Sequence, residues 1–193
     1  MKVIKPAEQT RAIDCPGDMR YQYVRTATPD VDGKPSVVCV DLDGTLCCRH
    51  PDRDIFDWKN VGMDYANRPV LMAVEFMASW IRIVITTARD EVCKLQCDMW
   101  LRAHGIEYEN IYMRPQKDKR PDEIIKVEIL HEIQKDYHIA FALDDRQSVV
   151  DMWRANGIPC FQVAPHPDPT QPYAGREPFT FEDGKGVLVN ART

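Results

Sequence analysis

The chain alternates short apolar runs with longer segments whose apolar residues recur at helical spacing. Residues 37–40 (VVCV) are apolar on both faces of a pleat, which predicts a fully buried strand. Further strands are predicted at 81–86 (IRIVIT), 111–113, 139–143 (IAFAL) and 160–163. One helix is predicted to start at Arg68 and Pro69, with proline in a tolerated first-turn position, and to carry Val70, Leu71, Val74, Phe76 and Met77. Asp90 is a suitable N-cap for a second, running through Val92, Leu95, Met99, Trp100 and Leu101 to Gly105. Ile124, Ile125, Val127, Ile129, Leu130 and Ile133 mark an amphipathic third helix. Val149, Val150, Met152 and Trp153 mark a fourth, stopped by Gly157. This alternation predicts an α/β fold: a Rossmann-like, mainly parallel sheet with helices on both faces.

The pattern divides the chain into three parts. Residues 37–164 carry the strand–helix alternation, and within them 47–67 is polar, punctuated and rich in Arg and Asp, as expected of a loop or small cap insertion. Residues 1–36 read as an N-terminal extension, with a short strand at 21–24 (YQYV) and a turn around Asp32 and Gly33. Residues 165–193 read as a Pro-rich C-terminal extension. Five prolines in 165–178 preclude regular structure there, and 179–189 is expected to form a strand pair around Asp183 and Gly184.

With 193 residues, 44% hydrophobic and 28% charged, the chain fits one medium globular domain. No apolar run reaches the roughly eighteen residues of a membrane-spanning helix, and the first residues lack the apolar core of a secretory signal. Seven cysteines, an odd number scattered over predicted strands and helices, favour reduced thiols and a cytoplasmic location. The net charge of -5 argues against binding nucleic acid by bulk attraction. It leaves room for a local basic patch, and residues 113–123 (MRPQKDKRPDE) are the most basic loop, suited to a polyanion's backbone.

In sheets of this kind, sites form outside the carboxyl ends of the strands. Those ends carry Asp41 and Asp43, Thr86 and Thr87, Arg114, and Asp144 and Asp145. An Asp-Gly turn after a core strand is an ordinary structural reading of 41–44; the convergence of polar residues at the strand ends favours a site. Like charges buried together need a cation or a proton between them. Two carboxylates at each of two strand ends suit Mg²⁺, which prefers oxygen ligands. A hydroxyl and a cation, from Thr87, Arg89 or a helix lysine, would then grip phosphate. One carboxylate can attack phosphorus to form an acyl phosphate, while its neighbour protonates the leaving oxygen and later activates water.

These residues carry a family resemblance. The DxDGT pattern of Asp41, Asp43, Gly44 and Thr45, then 86–89 (TTAR), Lys126 and 144–146 (DDR), resembles in order and spacing the motifs of the haloacid dehalogenase superfamily of phosphotransferases. More narrowly, the chain resembles the 3′-phosphatase domains of phage polynucleotide kinase/phosphatases. The matching features are Arg53 before Phe56 and Asp57, Asp64 and Asn67 before Pro69, residues 122–126 (DEIIK), and above all 143–164 (LDDRQSVVDMWRANGIPCFQVA). The resemblance implies that Asp41 is the nucleophile and Asp43 the general acid/base, with Thr87 and Lys126 holding the phosphate. It implies a Mg²⁺ site formed by Asp41, the main-chain carbonyl of Asp43 and Asp145, with Asp144 a less direct ligand, and substrate-organising roles for Arg53, Arg89 and Asp122. Counting from Asp43 favours Arg49 as the cap arginine; counting back from Asp57 favours Arg53, which is preferred here.

The expected activity is Mg²⁺-dependent removal of terminal 3′-phosphates from DNA or RNA ends during repair. No GxxxxGK[ST] loop is present, so no 5′-kinase activity is expected. The rivals are a small-molecule phosphatase or nucleotidase on the same core, which the short cap disfavours, and a non-catalytic end-binding module, which intact Asp41, Asp43, Lys126 and Asp145 disfavour. Cys47, Cys48 and His50, and likewise Cys93 with Cys97, lack the second spaced pair of a structural zinc site. Trp58 is either a base-stacking residue or a half-buried cap aromatic. Trp100 and Trp153 read as core, and His104, His131 and His138 as structural.

Overall fold

Strand β1 (Ser36–Asp41) is buried along its whole length and hydrogen-bonded on both sides, the environment that favours an unbroken run of small and β-branched apolar residues. The structure, a computed structural model, describes residues 30–164; the strand expected at 21–24 and the features expected at 165–178 and 179–189 lie outside them. The other sheet strands are β4 (Arg82–Asp90), β5 (Asn110–Arg114), β6 (His138–Asp144) and β7 (Cys160–Gln162), following a short pair, β2 (Cys47–Cys48) and β3 (Tyr65–Ala66). The main sheet is parallel with order β5-β4-β1-β6-β7. Strand order reverses at β1, so its carboxyl end is the topological switch point where such sheets place ligands. Register sets Asp41 beside Thr86 of β4, and Val40 beside Leu143, the residue preceding Asp144.

Among the described residues, four helices cover the sheet: α1 (Arg68–Ala78), α2 (Lys94–Ala103), α3 (Asp122–Asp136) and α4 (Gln147–Ala155). Alternation along β1 divides the core. Val38 and Val40 join a cluster with Leu71, Val74, Trp100 and Leu101 of α1 and α2. Val37 and Cys39 join one with Ile125, Leu130, Val150 and Trp153 of α3 and α4. The turn expected around Asp32 and Gly33 is present: Val31 and Lys34 exchange backbone hydrogen bonds, both at 2.9 Å, across Asp32 (φ 51) and Gly33 (φ 78), the paired left-handed conformation of a tight hairpin turn.

Three helix faces differ from expectation. β4 runs four residues past Thr86 to Asp90, and a 3₁₀ turn (Glu91–Cys93) separates it from α2. Asp90 caps that turn, accepting from Val92 N at 3.0 Å, rather than the helix. The delayed, tighter start changes the phase: Cys93, Cys97, Trp100 and Leu101 face the core, whereas Val92, Leu95 and Met99 are solvent-exposed. On α3, Ile124 faces outward, and the buried stripe of Ile125, Ile129, Leu130 and Ile133 also holds Lys126. Phe76 of α1 is also exposed.

Residues 47–67 form the small excursion expected, closed at its base. β2 pairs antiparallel with β3, Asn67 N donates to Leu46 O at 2.9 Å, and Asn67 Nδ2 donates to Thr45 O at 2.9 Å. A 3₁₀ segment (Trp58–Met63) within it buries Val61, so the excursion does contribute to the core.

Candidate active site

Three elements deliver one charged centre. Asp41 ends β1, Asp144 ends β6, and α3 carries Lys126 over the sheet between them. Lys126 Nζ donates to Asp41 Oδ1 at 2.5 Å, to Asp144 Oδ2 at 3.1 Å, and to Thr86 at 3.1 Å (O) and 3.3 Å (Oγ1). The lysine is 1% exposed. Burial by itself would lower its pKa, but the Asp144 and Asp41 carboxylates more than reverse that and hold the ammonium above its usual range. Burial raises Asp41; Lys126 opposes the rise, and Asp144 and Asp43 add to it.

Asp43 lies just beyond the strand end and is gripped by an arginine. Arg89 Nε donates to Asp43 Oδ2 at 2.7 Å and Nη2 to Oδ1 at 2.6 Å, a fork-to-carboxylate pair. The same Nη2 reaches Asp64 Oδ2 at 2.5 Å, and Asp64 in turn receives Arg53 Nε at 2.8 Å and Nη2 at 2.9 Å. A chain of alternating charge therefore runs from Asp43 through Arg89 and Asp64 to Arg53 in the cap. Asp64 is 4% exposed and also accepts from the His50 amide at 2.9 Å, while its carbonyl accepts from Trp100 Nε1 at 3.0 Å. Thr87 is fully buried behind Asp43: its hydroxyl lies 3.4 Å from Asp43 Oδ2 and accepts from Arg89 N at 3.2 Å. The two candidate cap arginines are also separated. Arg53 is buried in this network, whereas Arg49 donates to the Arg53 carbonyl.

Two groups of potential metal ligands occur among the described residues: Asp41 with Asp144 and Asp145, and Asp43 with Cys47 and Asp64. Arg89 bridges the second group, donating to all three members, with Cys47 Sγ at 3.2 Å, and burial pushes the Cys47 thiol well up. That group is neutralised internally and does not fit a metal. The first group fits a divalent cation. Three carboxylates, of which Lys126 meets only Asp41 and Asp144, offer ligand oxygens within 4.8 Å of one another, and burial first, then the neighbouring Asp144, raises Asp145. An all-oxygen set with this charge suits Mg²⁺. Gly44 (φ 84) makes the approach possible: a β-carbon there would lie 2.2 Å from Asp145 Oδ2. Thr45 Oγ1 lies 3.4 Å from Asp145 Oδ1. Of the four expected metal residues, Asp41, Asp144 and Asp145 bring carboxylates together, while the Asp43 carboxylate is turned to Arg89, which is compatible with a metal contact through the Asp43 main-chain carbonyl.

These groups lie in a cleft of about 980 Å³ whose walls are the cap, with Arg53, Ile55, Phe56 and Trp58, and the loop between β5 and α3. Asp122, at the start of α3, is held from two sides by Arg114 and Arg146. It organises that wall, and both its oxygens are engaged. Trp58 is half-buried, lines the cleft and meets Phe56 edge-on at 6.1 Å. Cys93 and Cys97 lie 3.7 Å apart as free thiols, Trp100 and Trp153 are core, and His104 stacks on Trp100 at 4.0 Å. Sequence reasoning assigned no role to Asp64 or Arg146. Asp64 sits in a polar segment without periodicity, and its partners lie 11 and 25 residues away; only the resemblance drew attention to it.

The family model for the polynucleotide kinase PNKP phosphatase domain matches residues 35–167. A chain in the Pnkp1/Rnl/Hen1 RNA repair complex is 34% identical with a TM-score of 0.65, the match covering 74% of this chain and 47% of that one. A second structure of the Pnkp1/Rnl/Hen1 complex matches with 34% identity and a TM-score of 0.64, covering 74% of this chain and 50% of the other. The chain thus spans about half the length of the solved chains it matches. With the match spanning the whole sheet, the cap and every strand-end carboxylate, the chain belongs to the family of polynucleotide kinase PNKP phosphatase domains, within the haloacid dehalogenase superfamily, and is a phosphatase.

Proposed function

We propose that the protein is a Mg²⁺-dependent polynucleotide 3′-phosphatase of nucleic-acid end repair, acting on DNA or RNA ends without 5′-kinase activity. The phosphatase domain is 37–164, with 47–67 as its cap. The observation that carries the reading is the joint placement of Asp41, Asp43 and Lys126 on the floor of a cleft bounded by so small a cap. A polymer end can enter such a site. Six described cysteines are free thiols, in keeping with a reducing, cytoplasmic setting, and no described helix is long and apolar enough to cross a membrane.

In this mechanism an Asp41 carboxylate oxygen attacks the phosphorus, and the bond from phosphorus to the ribose 3′ oxygen breaks. Asp43 gives a proton to that leaving oxygen. It then takes one from water, whose oxygen attacks the aspartyl phosphate and returns Asp41 with release of inorganic phosphate. Both Asp43 oxygens accept from Arg89, so carrying the first proton requires one to leave the fork. Lys126 neutralises the phosphoryl charge next to Asp41. Thr87 orients Asp43 in this geometry and meets a phosphate oxygen only if its hydroxyl turns. Arg53, Arg89 and Asp122 hold the site and the substrate's approach. Asp41, Asp144 and Asp145 would hold Mg²⁺, which supplies charge neutralisation for the transferring phosphoryl group.

The test is phosphate release, with Mg²⁺, from a 3′-phosphorylated oligonucleotide, its 5′-phosphorylated counterpart and a 3′-mononucleotide. Marked preference for the first is expected. Equal or faster turnover of the mononucleotide makes the protein a nucleotidase and overturns the reading.

A further inference from the structure

The loop joining β5 to α3 is built around a buried arginine. Arg114, 8% exposed, donates to Ala88 O at 2.7 Å, to Arg120 O at 2.6 Å, to Asp118 O at 3.3 Å and to the Asp122 carboxylate. Asp90 adds a second tether: one oxygen caps the 3₁₀ turn, and the other accepts from Lys117 N at 2.8 Å. Lys117 is thereby held at φ 64, a left-handed conformation that residues with a β-carbon rarely adopt. Residues 89 and 90 are consecutive, so one backbone step separates the arginine that grips Asp43 from the aspartate that fixes Lys117.

Most cations of this wall are internally paired. Arg120 pairs with Asp118 and Glu128, Arg146 with Asp122, and Arg114 with Asp122. Lys117 and Lys119 line the same cleft, are exposed, and have no carboxylate partner among the described residues. In a chain of net charge -5, two unpaired cations on a tethered loop at the mouth of a phosphate-processing cleft are placed for an anion that comes and goes. Lysine is a flexible point charge, suited to a backbone phosphate whatever the base.

We propose that Lys117 and Lys119 form a subsite for an internal phosphodiester of the substrate strand, adjacent to the position of the terminal phosphate. This rests on the polynucleotide reading and deepens it: the loop makes the enzyme distinguish a strand end from a mononucleotide, which has no internal phosphate. Arg114 and Arg120 position the loop and do not meet the strand.

The experiment compares wild type with Lys117→Gln/Lys119→Gln on a 3′-mononucleotide, a dinucleotide carrying a 3′-phosphate, and the same dinucleotide with a neutral methylphosphonate linkage. In wild type, kcat/KM rises from mononucleotide to dinucleotide and falls back with the neutral linkage. In the double variant the dinucleotide loses about tenfold more than the mononucleotide, and the salt slope of log kcat/KM on a longer 3′-phosphorylated strand falls by about 0.7, the value for one lost phosphate contact. Equal losses on both substrates, an undiminished dinucleotide advantage in the variant, or no advantage in wild type each overturn the subsite. Failure of the 3′-phosphatase reading is seen separately, in wild type alone, when the longer 3′-phosphorylated strand is turned over no faster than the mononucleotide or more slowly than its 5′-phosphorylated counterpart.

Discussion

Lys126 shares its surroundings with three carboxylates and is buried among apolar side chains of α3, so removing its charge has two readouts. Lys126→Met leaves Asp41, Asp144 and Asp145 uncompensated and should lower stability by about 3–5 kcal/mol at neutral pH. Added Mg²⁺ should recover part of that loss in a thermal melt without restoring turnover, because the metal supplies charge but not the ammonium beside Asp41. Arg89→Lys keeps a positive charge but loses the fork on Asp43 and the bridge to Asp64. We expect kcat to fall about a hundredfold or more with a much smaller change in KM, as for loss of an interaction made in the transition state. Asp145 extends the argument to pH. Its carboxyl is raised by burial and by Asp144, so protons compete with a cation over a higher range than for an ordinary aspartate. The Mg²⁺ concentration giving half-maximal rate should therefore rise as pH falls from about 7.5 to about 5.5, measured by titrating metal at each pH. At this scale the sequence was most legible at strand ends, where Asp41, Asp43, Asp144 and Asp145 stand as acids after apolar runs. It was least legible in who grips whom: nothing in the spacing of residues 43, 64 and 89 announces one guanidinium shared by two carboxylates.

Among the elements, the strands were read more accurately than the helix faces. A buried parallel strand needs only to be apolar, whereas a helix face depends on where the helix begins. Extension of β4 through Ala88, Arg89 and Asp90 and the 3₁₀ turn after it moved the start of α2, and with it the inward side. A pair of substitutions tests the corrected phase. Leu101→Ala, at a fully buried position, should cost about 2–5 kcal/mol, while Leu95→Ala should stay within about 0.5 kcal/mol. Denaturant titration of both variants decides it, and similar losses would restore the original phase. The cap shows a different limit. Its polar composition predicted a loop and not its closure, because β2 and β3 are two residues each and their pairing partners lie nearly twenty residues apart. Strands that short carry no period.

For the whole molecule, the parallel order β5-β4-β1-β6-β7 was legible as a class from strand–helix alternation, but its neighbour pairs were not, since every buried strand presents the same apolar face to either side. The order matters because the groups of the site come from residues 41, 89, 126 and 144, which meet only once both edges of β1 are taken. The pairing of Ser36 with His138 spans about a hundred residues, and such long closures form slowly. During synthesis, β1 therefore waits for β6 while its second edge, apolar in side chain from Val37 to Val40, stays open to other chains. A chain halted before residue 138 would be no partial enzyme. It would be a template for pairing with other chains, and the longer β1 keeps that edge open, the more completed enzyme is expected to be lost to aggregation.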